Sequence, residues 1–346
     1  MTGLVTFDIP ETVTGTPEDI RLGQRMIEAW QRDGIYQVAI PPAQRSVVAD
    51  AYAASRRFFS LPLADKSRHL SDLSYSGYVA SGEEVTDGVQ DGSEIFTVTK
   101  DVSLDDSRVA ENWEAINAYM EQSGDLGERI LRLTALGLGQ DIEAFTRLTD
   151  DGWHHMRVLR FPAASATTDR GIGAHTDYGL LVIATQDEAG QALYIRPPIE
   201  GERRNRNWLP EESAAGVYED DDRWTYVPPV PHTFTVFPGD LFQFLTGGTL
   251  LSTPHKVKLA DRERYAFAYF HEPSFQAAAR PLDSTDDTEF LHYGSHFTSM
   301  FLRCYPDRVT TRRIHAEDRL SVLDKLKEEA AADGPKADEV RAQLLV

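Results

Sequence analysis

The sequence predicts a mainly β protein with flanking helices, its strands folded as a double-sheet barrel or jelly roll. Three observations predict it. From about residue 153 the chain becomes a series of short β-branched or aromatic runs separated by Gly, Pro and Asp, the pattern of many short strands joined by turns. Before that point apolar residues recur mainly at helical spacing. Beyond 316 the chain is charged and helical in pattern. The 346 residues, 41% of them hydrophobic, are within reach of one large β-rich domain with a sizeable core. The expected organisation is a single domain over 1–315, with a mostly helical part at 1–150, a jelly-roll core at 151–275 and a C-terminal helical part at 276–315. A charged helical tail follows at 316–346.

Pro17 opens a helix whose residues Ile20, Leu22, Met26, Ile27 and Trp30 share roughly one face, and Gly34 closes it. Residues 35–40 alternate as a strand does, ended by Pro41 and Pro42. A second helix is expected at about 44–60. Residues 75–94 are rich in glycine with little periodicity and read as a long loop, a kind of segment that often carries function. Helices are expected again at 109–137 and 141–148. The strand-like runs are 153–161, 180–185, 193–196, 224–227, 234–237, 241–244 and 264–271, with turns at Pro238-Gly239-Asp240 and Thr246-Gly247-Gly248. The tail at 328–338 is expected to be mobile.

Composition narrows the function. Net charge is -20, from 35 basic and 55 acidic side chains, so a polyanion is repelled on average. The cluster Arg203-Arg204-Asn205-Arg206 is short and reads as a solvated loop. No nucleic-acid partner is expected. The uncharged apolar runs are too short to cross a bilayer, and the first eight residues lack a signal-peptide pattern. A lone cysteine, Cys304, permits no internal disulfide and fits a reducing, cytoplasmic setting. A monomer acting on a small molecule is the expectation.

His175-Thr176-Asp177 places an imidazole and a carboxylate two residues apart, on one face if the segment is a strand. A third ligand must come from elsewhere, and His255 begins another strand-like run. Two histidines and one carboxylate leave open positions on a metal, the arrangement of non-haem Fe(II) oxygenases. A structural zinc site would need a fourth ligand. Arg264 starts a strand on which Arg264, Ala266, Ala268 and Phe270 share a face. An arginine on an apolar strand needs an anion, either a bound carboxylate or a structural Asp or Glu. The neighbouring alanines leave room for a bound molecule. On 153–161, alternation aligns His155, Arg157, Leu159 and Phe161. His155 reads as a hydrogen-bonded core or supporting group rather than a ligand. His271, His292 and His296 are open between structural and surface roles, and His232 reads as a loop residue.

Taken together, His175, Asp177, His255 and Arg264 resemble the signature of the 2-oxoglutarate/Fe(II) oxygenase superfamily, in the branch shared with isopenicillin N synthase. The stretches 73–86, 151–162, 171–184, 251–259 and 303–308 are similar to the bacterial ethylene-forming enzymes, which also hydroxylate L-arginine, and the resemblance covers most of 1–315. It implies a double-stranded β-helix, with Fe(II) held by His175, Asp177 and His255. It implies O2 and 2-oxoglutarate as co-substrates, the latter chelating iron and pairing its distal carboxylate with Arg264. Phe270 and Arg157 would line the co-substrate site, and Glu84, Thr86, Arg157, Tyr178, Arg303 and Cys304 an arginine pocket.

The implied chemistry is C5 hydroxylation of L-arginine, giving guanidine, a pyrroline carboxylate, succinate and CO2, or fragmentation of 2-oxoglutarate to ethylene and CO2, or both. The alternative is hydroxylation or desaturation of another basic or guanidine-bearing amino acid without ethylene. A non-catalytic sensor of either ligand would have no need of an open redox site. The chain departs from the pattern in four places. Ala266 stands where much of the superfamily has a serine after the arginine, as in the ethylene-forming branch. The segment 108–126 is shorter, the turn at 186–193 is longer, and Phe267 replaces a smaller residue.

Overall fold

The computed structural model describes residues 3–69, 75–99, 107–187, 192–284 and 289–332. Two antiparallel-rich sheets face one another. The larger has eight strands, in the spatial order Thr6–Phe7, Tyr36–Ala39, Thr233–Pro238, Leu181–Gln186, Arg264–His271, His155–Phe161, Glu94–Thr99 and Gly77–Val79. The smaller has four, in the order Thr225–Tyr226, Leu193–Ile195, His255–Lys258 and Arg170–His175. This is the mainly β, jelly-roll arrangement expected, with helices outside it.

Side-chain alternation makes two cores from one sheet. Leu159, Phe161, Val182, Phe237, Ala266 and Phe270 point inward and meet Ile172, Leu193, Ile195 and Val257 of the smaller sheet. Met156, Val158, Ile183, Val236, Phe267 and Tyr269 point outward and pack with Trp30, Phe58, Ile130 and Leu133 from the helices Pro17–Asp33, Arg45–Phe59 and Ser107–Gly137. Phe267 thus lies on the face opposite Arg264, its ring centroid 4.5 Å from Tyr52 and 4.9 Å from Tyr119. The first helix begins with a capping box between Thr16 and Asp19 and ends at Gly34, whose φ of 78° suits glycine.

Several expectations are corrected. Residues 241–244, read as a strand, lie in the helix Asp240–Leu245, every residue of which is buried; a wholly buried helix has no polar face to reveal its period. The expected helix at 141–148 is reduced to Thr146–Thr149. The glycine-rich segment 75–94 is not a plain loop. It holds Gly77–Val79 and the hairpin Val85–Thr86/Val89–Gln90, turned at Asp87 and Gly88 with φ of 53° and 72°. The charged helical tail expected from 316 holds the helix Arg319–Ala332; positions 333–338, and 188–191 of the longer turn, lie outside the described residues. The arginine cluster is not wholly solvated. Arg204 is buried, donates to the Pro197 carbonyl at 3.0 Å and lies over the Tyr218 ring. His271, His292 and His296 are all buried.

Candidate metal centre and its two cavities

His175 is the last residue of its strand, His255 the first of its own, and the two are direct cross-strand partners. Asp177 is not on the strand, contrary to the sequence reading. It lies in the coil just beyond, where a network holds it. The Asp240 N–H donates to the Asp177 carbonyl at 2.7 Å, and the Asn207 amide spans the Thr176 hydroxyl (2.8 Å) and the Asp240 carboxylate (2.7 Å). Burial pushes Asp240 up to about 7. Asn207 and Asp240 carry no periodic signal, and sequence reasoning missed them.

The Asp177 carboxylate stands 3.8 Å from His175 Nε2 and 3.5 Å from His255 Nε2, and one ligand atom from each residue lies within 4.8 Å of the others. Ligand bonds of about 2.1 Å to a shared ion span separations of that size. Each imidazole meets a backbone carbonyl through Nδ1, His175 with Gly173 at 2.8 Å and His255 with Thr253 at 3.2 Å. With Nδ1–H donating there, the lone pair rests on Nε2, facing the carboxylate. Burial, then the neighbouring His255, pushes His175 down to about 4, so it is neutral and able to ligate at neutral pH. The donor set and its tautomers fit a divalent first-row metal with coordination positions left open.

Two cavities meet at this centre. One is lined by Arg264, Gln186, Ala184, Ala266, Ala268, Phe161, Phe270 and the three metal-facing residues. Arg264 is 2% exposed and lies 4.4 Å from the Phe161 ring centroid, and its Nε has no hydrogen-bond partner among the described residues. Burial, partly offset by Asp187, Tyr52 and Tyr226, pushes it down to about 10. A buried, under-bonded guanidinium beside small side chains is fitted to an incoming carboxylate.

The other cavity is lined by Glu84, Thr86, His155, Tyr178, Asn207, Arg303 and Cys304, and it shares Arg157, Ile172, His175, Asp177 and Phe270 with the first. The fold thus brings together every pocket residue read from the sequence, with details the sequence did not carry. Glu84 already accepts from Arg157 Nη2 at 2.5 Å and from the Tyr305 hydroxyl at 2.7 Å. Burial opposes the Arg157 charge, and Glu84 outweighs it and raises the pKa. Thr86 donates to Asp91 (2.6 Å), which also accepts from Arg170 and from the Gly173 N–H, each at 3.0 Å. Asp91, another residue missed, ties the hairpin to the strand that ends in His175; burial, then the charge of Glu84, pushes it up to about 6. Arg303 is exposed and, among the described residues, donates only to the Glu212 carbonyl, at 3.5 Å. Burial holds the Cys304 thiol up at about 12. His155 is buried and stacks on Phe270, the ring centroids 4.4 Å apart, and burial pushes it down to about 3.

Comparison with known proteins bears on the same residues. Residues 6–122 match the family described as non-haem dioxygenase in morphine synthesis N-terminal, and 208–273 match the 2OG-Fe(II) oxygenase superfamily. A 2-oxoglutarate-dependent ethylene/succinate-forming enzyme of Ralstonia nicotianae is 56% identical over 95% of this chain and 99% of its own length. A homoarginine-6-hydroxylase of Glycine max is 29% identical over 84% of this chain and 91% of its own. Among solved structures, a 2OG-Fe(II) oxygenase family protein from Caulobacter crescentus shares the fold with a TM-score of 0.68 at 17% identity, covering 88% of this chain and 99% of that one. A full-length Neurospora crassa protein in complex with alpha-KG gives 0.70 at 20% identity, covering 87% and 97%.

Proposed function

The chain belongs to the 2-oxoglutarate/Fe(II) oxygenase superfamily, and from that membership we propose that it is an oxygenase of the ethylene-forming type that oxidises L-arginine. One observation carries the reading. Two cavities meet at His175 and Asp177: one, which His255 also lines, holds the buried cation of Arg264, and the other is lined by Glu84, Arg157 and Arg303. The first suits a dicarboxylate. The second offers both signs of charge, as a cationic amino acid requires.

His175, Asp177 and His255 would hold the iron. Bound there, Fe(II) supplies the redox chemistry that couples reduction of O2 to decarboxylation of 2-oxoglutarate, giving succinate and CO2. The protein's part is placement. Arg264 anchors the far carboxylate of 2-oxoglutarate, and the alanines at 184, 266 and 268 leave room for its carbon chain. The apolar wall of Phe161, Phe237 and Phe270 keeps water from the reacting carbon. In the second cavity Glu84 receives the substrate guanidinium, sharing its carboxylate with Arg157 and Tyr305, while Arg303 meets the amino acid carboxylate at the rim. Tyr178 and Thr86 close the sides. This placement presents the carbon next to the guanidinium for hydroxylation; the resulting carbinolamine releases guanidine and an aldehyde that cyclises, with loss of water, to a pyrroline carboxylate. In the competing outcome 2-oxoglutarate itself is fragmented to ethylene and CO2.

A second reading is favoured by the Glycine max relative's named activity: hydroxylation of a different guanidine-bearing amino acid, without ethylene. The test is one aerobic incubation of the purified protein with Fe(II), ascorbate, 2-oxoglutarate and L-arginine. Headspace gas chromatography reads ethylene, and mass spectrometry reads guanidine and succinate. Guanidine and ethylene are expected. Succinate with homoarginine but not with arginine would move the assignment to the second reading, and no succinate with any basic amino acid would overturn both.

A further inference from the structure

Two arginines line the co-substrate cavity, and with Arg157 paired to Glu84 only Arg264 is left, among the described residues, for a carboxylate that can accept about four hydrogen bonds. Position 266, on the same inward face as Arg264, is an alanine and donates nothing. The remaining polar side chains of the cavity can be taken in turn. His175, Asp177 and His255 face the metal centre, and Arg157 is paired with Glu84. Thr185 is the register partner of Phe267 and so faces outward, where its hydroxyl accepts from Tyr52 (3.2 Å) and lies 3.0 Å from the Tyr119 hydroxyl. Gln186 is left. It is the direct register partner of Ala266, which puts both side chains on the inward face one strand apart. Its amide makes only a marginal contact of 3.5 Å with the Val227 carbonyl among the described residues.

We propose that Gln186 is a second anchor for the distal carboxylate of 2-oxoglutarate. Its amide N–H donates to carboxylate oxygen that the Arg264 fork leaves under-bonded, replacing from the neighbouring strand a donor that position 266 lacks. Gln186 thereby helps set the preference of the site for a five-carbon 2-oxo diacid over 2-oxo acids with an apolar end. The inference rests on the co-substrate assignment made above.

The test is calorimetric binding to the full-length protein loaded with Mn(II), comparing 2-oxoglutarate with 2-oxopentanoate, which has the same chain length but no distal carboxylate. Gln186→Met keeps the volume and removes the donor. It is expected to weaken 2-oxoglutarate by roughly tenfold, the cost of a hydrogen bond to a charged group, and to leave 2-oxopentanoate unchanged. In turnover, KM for 2-oxoglutarate rises while kcat at saturation is retained. Ala266→Ser added to Gln186→Met, placing a hydroxyl across the strand pair, recovers most of the loss, which a merely structural role would not predict. Equal 2-oxoglutarate affinity in Gln186→Met and the parent protein overturns the proposal, as does equal loss of both ligands. Absence of 2-oxoglutarate binding in the parent protein overturns the co-substrate assignment as well.

Discussion

Arg157 and Glu84 form a buried ion pair, with 2.5 Å between Nη2 and Oε2, that joins the inward face of the His155–Phe161 strand to the glycine-rich segment before it. The pair lines the second cavity. On the proposed reading, a cationic substrate would meet a carboxylate already shared with the protein's own guanidinium, and its binding would depend on the charge of Glu84.

Glu84→Gln keeps the shape and removes that charge. KM for L-arginine is expected to rise by roughly 10- to 100-fold, from the loss of a charge-assisted contact. KM for 2-oxoglutarate should change less, because its Arg264 anchor does not line the cavity that Glu84 lines, although Arg157 borders both. Steady-state kinetics with each co-substrate varied in turn would check this split.

At the opposite end, Arg264→Lys should be poorly tolerated. A lysine offers a point charge in place of a planar fork, and the buried cation has no carboxylate of the protein within ion-pair distance among the described residues. The expected result is a rise of about tenfold or more in KM for 2-oxoglutarate, with arginine affinity retained. Isothermal titration of 2-oxoglutarate into metal-loaded protein reads it.

Stability toward acid should depend on Glu94, remote from the chemistry. This buried carboxylate accepts from Lys66, the Tyr78 hydroxyl and Arg160. Burial alone would raise its pKa, but those donors outweigh burial and lower it below the ordinary 4.5. A depressed folded-state pKa gives stability that is complete above the unfolded value and lost as pH falls through the folded one. The melting temperature should therefore fall as pH drops below about 4.5. Glu94→Gln should be destabilised at neutral pH by about 3 kcal/mol, leaving the buried Lys66 ammonium without its carboxylate while Arg160 keeps Glu263, and should show a shallower decline in acid. Thermal melts across pH would decide it.

Much of this was legible in the chain itself. The first helix, opened at Pro17 and closed at Gly34, and the alternating face of 264–270 follow from local rules that tertiary packing did not override. What was hidden has physical causes. Residues 241–244 are buried on every side, so their helix leaves no amphipathic trace. The hairpin at 85–90 has strands of only two residues, although Asp87-Gly88 is the dipeptide that favours such a turn. Asp177 leaves the strand after His175 and is placed by Asn207 and Asp240, contacts that join distant parts of the chain and leave no mark on spacing. Gln186 becomes visible only when strand register sets it beside Ala266.

Those supporting contacts can be tested as well. Asp91→Asn keeps a hydrogen-bonding side chain but removes the charge that holds Arg170 against the hairpin. The expected effect is a loss in kcat/KM for L-arginine of roughly tenfold, with the iron content of the purified protein unchanged. Metal analysis beside kinetics would separate a fault in the hairpin from a fault in the metal centre.

The most direct measurement is succinate formed from 2-oxoglutarate by the Fe(II)-loaded protein with L-arginine and O2, compared with Asp177→Ala and His255→Ala. Sustained succinate release is expected from the parent protein, abolished by chelation and restored by Fe(II), with none above background from either variant. Turnover that survives loss of Asp177 or His255, or a parent protein that binds iron yet forms no succinate, would contradict an oxygenase built on this triad.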